Sequence, residues 1–185
     1  MPKKIETNRL YLRQWQKMDL EPFSKMNSDK DVMEYFPKLL SKEESDAMAS
    51  KCQSLIEERG WGIWAVSLKD SGAFTGFVGL HQPQYDFPFN PCIEIGWRLD
   101  KEFWGYGYAT EAANAALKFA FEELELNEVV SFTSKINKRS QLVMQRLKMK
   151  NTKKDFHHPA FEVADPLAEY VLYKITQKEW IEDKN

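Results

Sequence analysis

The sequence has little of several things that mark specialised classes of protein. It contains only two cysteines, Cys52 and Cys92, and no CxxC pair, so neither a disulfide framework nor a zinc ribbon is indicated. Its longest apolar stretches, residues 112–121 and 129–132, are too short or too often interrupted to span a bilayer. Residues 1–10 lack the apolar core of a secretory signal. A soluble, cytoplasmic protein is therefore predicted.

The sequence also lacks an excess of charge of one sign. Its 26 basic and 28 acidic residues leave a formal net charge of −2. A protein that binds nucleic acid or a membrane surface electrostatically carries a basic excess, so neither partner is expected. By contrast, 43% of the 185 residues are apolar, which is enough for the core of one compact domain. No linker, repeat or low-complexity tract interrupts the chain, so a single domain over residues 1–185 is predicted.

Strand and helix signals follow one another along the chain. Alternating apolar residues predict strands at 10–13, 61–68, 73–80, 93–99, 129–133 and 170–175, and helical spacing predicts helices at 20–26, 41–59, 110–126 and 140–147. Ser41 and Glu44 form a capping box at the start of the second helix, and residues 69–72 have the composition of a tight hairpin turn. This order predicts an α+β fold with a strand, helix, strand unit in its second half.

Two glycines, Gly105 and Gly107, stand between the strand at 93–99 and the long helix. Glycine lets the backbone approach a ligand closely, and the unbonded N–H groups of a helix's first turn favour an anion such as phosphate. One hypothesis is an anion site, and the other is a turn that needs glycine only for chain geometry. A dinucleotide fold would need a small residue at Thr110 and repeated β/α alternation, and no GxxxxGK[ST] motif for a triphosphate occurs.

Three segments resemble motifs of one family. Residues 95–99, followed by Phe-Trp-Gly-Tyr-Gly-Tyr-Ala-Thr-Glu-Ala at 103–112, are similar to the acyl-CoA signature of the GNAT acetyltransferase superfamily, [QR]-x-x-G-x-[GA]. The segment Thr-Asn-Arg-Leu-Tyr-Leu-Arg at 7–13 resembles the opening strand of the branch that contains the ribosomal-protein N-terminal acetyltransferases. Asn-Lys-Arg-Ser at 137–140 resembles the N-x-x-S of that branch at its fourth helix. Trp104 departs from the signature, because most members have Gln or Arg there.

The resemblance implies a mixed, mostly antiparallel sheet flanked by helices, in which the strands at 93–99 and 129–133 run parallel and splay apart. It implies an N-acetyltransferase that moves an acetyl group from acetyl-CoA directly to a primary amine, either a protein N-terminus or a small amine, as a monomer or homodimer. No metal is required. The implied CoA contacts, which comprise the pantetheine-pairing strand, the pyrophosphate loop and one amide side chain, are Trp97, Arg98, Leu99, Gly105, Tyr106, Gly107, Tyr108, Ala109, Thr110 and Asn137.

Acetyl transfer to an amine needs a base for the ammonium proton, and the departing thiolate can use an acid. Glu94 is the candidate base, because it lies on the polar face of the strand next to the implied pantetheine contacts; the other interpretation is a solvated carboxylate on an amphipathic strand. Ser140 is the candidate hydrogen-bond donor to the leaving sulfur, and the other interpretation is a helix N-cap, a position that serine favours. Asn137 has the alternative of an ordinary loop residue.

Two further features leave alternatives open. Met144 stands where many similar enzymes have a tyrosine that protonates the thiolate, so a CoA-binding sensor without chemistry is the alternative to an enzyme. His157 and His158 in the segment 155–161, together with His81, suggest a metal only weakly, because no carboxylate or cysteine stands at ligand spacing. A solvent-exposed loop is predicted for these two neighbouring histidines. The six tryptophans are expected in the core or at interfaces.

Overall fold

The computed structural model describes residues 4–182. In chain order the elements are β1 (Ile5–Glu6), β2 (Leu10–Arg13), α1 (Leu20–Asn27), α2 (Lys42–Arg59), β3 (Ile63–Leu68), β4 (Phe74–His81), β5 (Glu94–Leu99), α3 (Tyr108–Glu122), β6 (Glu128–Ser134), α4 (Lys138–Arg146), β7 (Lys150–Asn151), β8 (Phe156–His157), β9 (Glu169–Thr176) and α5 (Gln177–Glu182). All the helices and strands predicted from the sequence are present, with ends that differ by a few residues. The short strands β1, β7 and β8 and the helix α5 were not predicted.

The chain groups into two compact units. The first comprises residues 4–80 and 96–116. Its strands follow the order β1-β2-β3-β4-β5, and the pairs β1–β2, β2–β3 and β3–β4 are antiparallel. The predicted hairpin between β3 and β4 is confirmed. A single domain over the whole chain stays a prediction, which one cooperative transition in calorimetry would support.

The capping box of α2 is confirmed. The Ser41 hydroxyl accepts a hydrogen bond from the Glu44 N–H at 3.2 Å, and the Glu44 carboxylate accepts one from the Ser41 N–H at 2.8 Å. The helix ends at Gly60, whose φ of +81° is a left-handed conformation that favours glycine. Helices α1 and α2 and the strands of this unit bury apolar side chains that include Leu10, Leu12, Trp15, Phe23, Met26, Ile56, Trp64 and Leu80.

The second unit comprises residues 81–95 and 117–182. Its strands follow the order β5-β6-β9-β7, and β8 also pairs with β9. Strand β5 runs parallel to β6, with Glu94 opposite Val130, whereas β6–β9, β7–β9 and β8–β9 are antiparallel. The predicted fold class is therefore confirmed: a mixed, mostly antiparallel sheet with one parallel pair, flanked by helices.

The core of the second unit includes Ile95, Leu117, Phe121, Val129, Met144, Leu172, Ile175 and Trp180. Tryptophans 15, 64 and 180 are buried, as predicted, and the other three are partly exposed. Within residues 4–182, no helix is both long and apolar enough to cross a membrane.

Candidate active site

The glycine loop, residues 104–110, connects the end of β5 to helix α3. Gly105 has φ +84° and Gly107 has φ +80°, conformations that strain any residue with a Cβ. Helix α3 begins at Tyr108, two residues earlier than predicted, and the Glu111 N–H bonds to the Gly107 carbonyl at 3.0 Å. The N–H groups of residues 108–110 therefore precede the first intrahelical bond and are available to an anion.

Two details of the glycine loop fit a phosphate. A Cβ added at Gly105 would meet no heavy atom within 4 Å, so the space above this backbone is open. The Thr110 hydroxyl oxygen is buried and has no hydrogen-bond partner within residues 4–182. A buried hydroxyl without a partner is costly, and a phosphate oxygen would satisfy it.

A polar clamp that was not predicted fixes the first turn of α3. The Glu111 carboxylate accepts hydrogen bonds from the Thr7 hydroxyl at 2.6 Å, the Arg9 N–H at 2.8 Å and the Arg9 Nε at 2.7 Å. Burial acts to raise the pKa of Glu111, but these hydrogen bonds outweigh burial and leave the pKa below its ordinary value. The Arg9 guanidinium also lies over the Tyr108 ring, 4.6 Å from its centroid.

The clamp brings the N–H groups of Arg9 close to the glycine loop. Arg9 Nη2 lies 3.7 Å from the position that a Cβ on Gly107 would occupy. Tyr106 stacks on Tyr108 with their centroids 5.6 Å apart and is 61% exposed, so its ring covers the loop from outside. The sequence held one signal of the clamp: Arg9 and Glu111 both lie in segments that resemble the family.

The three predicted pantetheine contacts on β5 differ in what they offer. The Arg98 carbonyl oxygen lies close to Gly76 of β4, since a Cβ added to Gly76 would stand only 2.2 Å from that oxygen. The backbone of Arg98 therefore faces β4. Because strand residues alternate, the backbone groups of Trp97 and Leu99 face the opposite edge. The Leu99 carbonyl accepts a hydrogen bond from the Trp104 indole at 2.9 Å. Trp97 therefore offers the least encumbered backbone of the three.

The Arg98 side chain is buried, whereas the sequence placed it on a polar face. Its Nη1 donates to the Asn27 side-chain oxygen at 2.6 Å, and its guanidinium lies 4.0 Å from the centroid of the Phe36 ring. Burial lowers the pKa of Arg98 to about 10. The expectation of a solvent-exposed polar face on β5 is wrong, since Glu94 and Arg98 on that face are buried, as are apolar residues on the other face.

Glu94, the candidate base, is also buried. Its side chain is only 11% exposed, and one carboxylate oxygen lies 3.1 Å from Nε2 of His81, at the end of β4. The interpretation of Glu94 as a solvated carboxylate is therefore wrong, because its side chain is buried and paired with His81. Sequence reasoning missed His81 as its partner, since the twelve loop residues 82–93 separate the two.

Asn137, not Ser140, is the N-cap of α4. The Asn137 side-chain oxygen accepts a hydrogen bond from the Ser140 N–H at 3.1 Å, and its amide nitrogen donates to the Thr133 hydroxyl at 3.0 Å. The prediction of a helix that starts at Ser140 is wrong, because α4 begins at Lys138 and Ser140 is its third residue. Asparagine is as good an N-cap as serine, which explains the displacement. Met144 is fully buried in the core.

His158 belongs to an aromatic cluster in the second unit, so the prediction of an exposed loop is wrong for it. The cluster is made up of Tyr85, Phe87, Phe89, Phe132, Phe156, His158, Phe161 and Tyr170, whose neighbouring centroids lie 4.6 to 6.2 Å apart. Strand β8 pairs with β9 and draws His158 against Tyr170. Burial lowers the pKa of His158 to about 4. His157 is exposed, as predicted.

The predicted site residues fall in both units. The first unit holds Trp97, Arg98, Leu99 and the glycine loop, and the second holds Glu94, Asn137 and Ser140. Among residues 4–182, no group of three or more His, Cys, Asp or Glu side chains is arranged to hold a metal ion. Burial raises the pKa of Cys52 and that of Cys92 to about 11, so both thiols are protonated at neutral pH.

Comparison with known proteins bears on this arrangement. The family model of the acetyltransferase (GNAT) domain matches residues 9–150. The uncharacterized N-acetyltransferase YnaD of Bacillus subtilis is 27% identical over 177 residues, which cover 95% of this chain and 98% of that protein.

Solved structures share the fold. An acetyltransferase of the GNAT family from Bacillus anthracis superposes with a TM-score of 0.80 and 25% identity, covering 96% of this chain and 100% of that chain. RimL, a ribosomal L7/L12 alpha-N-protein acetyltransferase whose structure contains coenzyme A, superposes with a TM-score of 0.75 and 16% identity, covering 96% and 99%.

Proposed function

This chain belongs to the GNAT acetyltransferase family, and we propose that it transfers an acetyl group from acetyl-CoA directly to a primary amine, with Glu94 as the base. The observation that carries the proposal is a carboxylate of 11% exposure, paired with a histidine, on the strand that leads into the glycine loop. Such a group is sheltered enough to act selectively and has a neighbour that can orient it. The acceptor is a protein N-terminus or a small amine.

The glycine loop is the proposed site of the CoA pyrophosphate. The N–H groups of residues 108–110 and the Thr110 hydroxyl would donate to its oxygens, and Arg9, which is paired with Glu111, would lie beside them as a further N–H donor. The backbone of Trp97 would pair with the pantetheine amides, whereas Arg98 and Leu99 would contribute chiefly by holding the strand in place. The Asn137 side chain is the N-cap of α4. Its contact with pantetheine stays a prediction.

In the proposed reaction, acetyl-CoA supplies an activated thioester. Glu94 takes a proton from the acceptor ammonium, and the neutral nitrogen forms a bond to the acetyl carbon. The carbon–sulfur bond then breaks, and the extra proton on the nitrogen passes to the departing thiolate, so that the products are the amide and CoA thiol. His81 is a positioning residue, since its ring nitrogen holds one Glu94 oxygen at 3.1 Å and leaves the other for the amine or a bridging water.

Direct transfer agrees with the state of the two thiols. A covalent route through a cysteine would need a thiolate nucleophile, and a pKa of about 11 at Cys52 and Cys92 opposes one. Ser140 stays the proposed hydrogen-bond donor to the leaving sulfur, because Met144 has no proton to give and is buried. Its position as the third residue of α4 frees it from the capping role that the sequence suggested.

A panel of primary amines tests the proposal. Release of CoA thiol from acetyl-CoA is followed with each amine, and acetyl-CoA binding is measured by calorimetry on the same preparation. We expect thiol release that depends on both the protein and the amine. Tight binding without release for any amine would contradict the enzyme and support the CoA-binding sensor, and absence of binding would contradict both.

A further inference from the structure

The aromatic cluster of the second unit is more than core packing. Phe87 stacks on Phe89 with centroids 5.1 Å apart, and Phe89 meets Phe156 edge to face at 5.0 Å. Unlike the core ring Phe23, which is fully buried, Tyr85 is 44% exposed, and Phe89, Phe132, Phe156, His158 and Phe161 are also partly exposed. Contiguous aromatic surface left open to water is typical of a ligand site.

The cluster shares a face of the sheet with Glu94. In paired strands, residues directly opposite each other point to the same face, and so do residues two apart on one strand. Glu94 is opposite Val130 on β6, and Phe132 is two residues farther along that strand. Tyr170 of the cluster is opposite both Ser134 and Phe156, which continues the same face across β9 to β8.

The effect of Glu94 on the pKa of Tyr170 also indicates that Glu94 lies near the cluster. Burial raises the pKa of Tyr170, and after burial the charge of Glu94 is the next largest cause. His158 remains neutral near pH 7 because its pKa lies near 4, and its Nδ1 accepts a hydrogen bond from the Ala160 N–H at 3.1 Å. The cluster therefore contains no cationic imidazole near neutral pH that would repel an amine approaching Glu94 as an ammonium ion.

A groove adjoins the cluster at Phe89. Its volume is about 350 Å³, within the range of small-molecule sites, and its apolar lining is formed by Phe89, Val130 and Leu172. Charges also line it, but two of its lysines are already paired: Lys174 with Glu128 at 3.1 Å and Lys150 with Glu179 at 2.7 Å. The groove thus offers room and apolar contact beside the strand pair that holds Glu94.

From these observations we infer that the acceptor is a primary amine whose carbon chain carries an aryl group close to the nitrogen. The aryl ring packs on the aromatic cluster while the nitrogen reaches Glu94. The inference rests on the proposed function and names its substrate class. The chemistry is shared by a free arylalkylamine and by a peptide with an N-terminal phenylalanine. Small hydroxylated amines would leave the partly exposed rings uncovered and bind more weakly.

The test compares matched pairs of acceptors. The ratio of kcat/KM for phenylethylamine over ethanolamine is measured beside the ratio for the peptides Phe-Gly-Gly and Ser-Gly-Gly. We expect at least one ratio to exceed about ten, and the pair that gives it identifies the source of the aryl amine. Acetylation of both members of each pair at similar rates would overturn the inference and leave the proposed function standing.

Two variants separate recognition from stability. Phe89→Ala and Tyr85→Ala remove partly exposed rings, and each should lower the preference severalfold by reducing kcat/KM for the aryl amine. Tyr11→Ala, which removes a ring on β2 in the first unit, is the matched control and should not change the ratio. Unchanged ratios in folded Phe89→Ala and Tyr85→Ala would overturn the inference.

A binding measurement decides the inference even if no amine is acetylated, a result that would contradict the proposed function. Saturation-transfer NMR with phenylethylamine should show transfer from the wild-type protein to the phenyl protons, weakened in Phe89→Ala and retained in Tyr11→Ala. No transfer from the wild type would overturn the inference.

Discussion

The glycine loop and the surroundings of Glu94 are built in opposite ways. The glycine loop has small residues, open space above Gly105 and backbone N–H groups at the start of α3. Glu94 instead lies on a strand covered on both faces, with His81 as its partner and an aromatic cluster on the same face. One region exposes the main chain, and the other shelters a single ionisable side chain.

The difference matches what each region is proposed to bind. A phosphate is recognised by many weak donors, which the backbone supplies regardless of side chains, so we expect phosphate binding to survive Trp104 in place of the Gln or Arg of the family signature. Proton transfer depends on one ionisable side chain, here the proposed base Glu94, so a single substitution of that residue removes the proton acceptor. Variants in the two regions should therefore affect different measured quantities.

The largest expected effect is that of Glu94→Gln. The amide keeps the size of the carboxylate but cannot take a proton, so kcat/KM should fall by roughly 10²-fold, at the low end of what a general base contributes. The affinity for acetyl-CoA should stay within a few fold. The loss should shrink at high pH, because more of the amine then arrives already neutral. Steady-state kinetics from pH 7 to pH 10 and calorimetry with acetyl-CoA provide the measurements.

A matched carboxylate controls for the change in charge. Glu122→Gln, at the exposed end of α3 where Glu122 pairs with Lys118, should leave both kinetics and binding unchanged. Full activity of Glu94→Gln at pH 7 would remove Glu94 from the mechanism.

Gly107→Val should weaken acetyl-CoA binding about tenfold or more, which corresponds to about 1.4 kcal/mol. Valine is strained at φ +80° and places methyl groups where the ligand is expected to approach the backbone. Gly72→Val, at φ +72° in the hairpin turn, imposes similar strain elsewhere in the first unit. If both variants bound acetyl-CoA equally well after correction for folded fraction, the glycine loop would not be the phosphate site.

Asn137→Ala and Ser140→Ala should separate capping from chemistry. Loss of the N-cap should cost Asn137→Ala about 1 kcal/mol of unfolding free energy, whereas Ser140→Ala should lose only a few tenths, since its hydroxyl does not cap the helix. If Ser140 donates to the leaving sulfur, its variant should lower kcat with little change in Tm. A Ser140→Ala enzyme with normal kcat would leave the serine without a catalytic role.

Much of the fold could be predicted because its signals are local. The capping box at Ser41 and the hairpin at residues 69–72 are written in neighbouring residues, and both are confirmed. The start of α4 was misplaced because Asn137 and Ser140 are equally good caps by type, and only the geometry after β6 chooses between them.

The environment of the candidate site could be predicted less well. Alternation along β5 correctly separated Glu94 and Arg98 from their apolar neighbours, but burial of that polar face depends on Asn27, Phe36 and His81, which are distant in sequence. The strand β8 is only two residues long, too short to leave a pattern, yet it determines that His158 is packed rather than exposed. Such pairings are set by tertiary contacts, which override local propensity.

The smallest effect expected is a pH dependence of stability that originates in His158. Its pKa lies near 4 in the folded protein and near 6.5 when unfolded, so between these values the unfolded chain binds more protons. The contribution of His158 to the free energy of unfolding is therefore fully present above about pH 6.5 and is lost as the pH falls toward 4. The effect is modest because the imidazole is only partly buried.

Substituting His158 isolates this contribution from the carboxylates that titrate in the same range. His158→Gln removes the titrating ring, while a polar side chain remains to accept the Ala160 N–H, so its urea midpoint should fall less between pH 7 and pH 5 than that of the wild type. His157→Gln, which removes an exposed histidine one residue away, should retain the full wild-type slope. Parallel slopes for all three proteins would mean that water reaches the His158 ring, and the cluster beside Glu94 would then be more open than its ring contacts indicate.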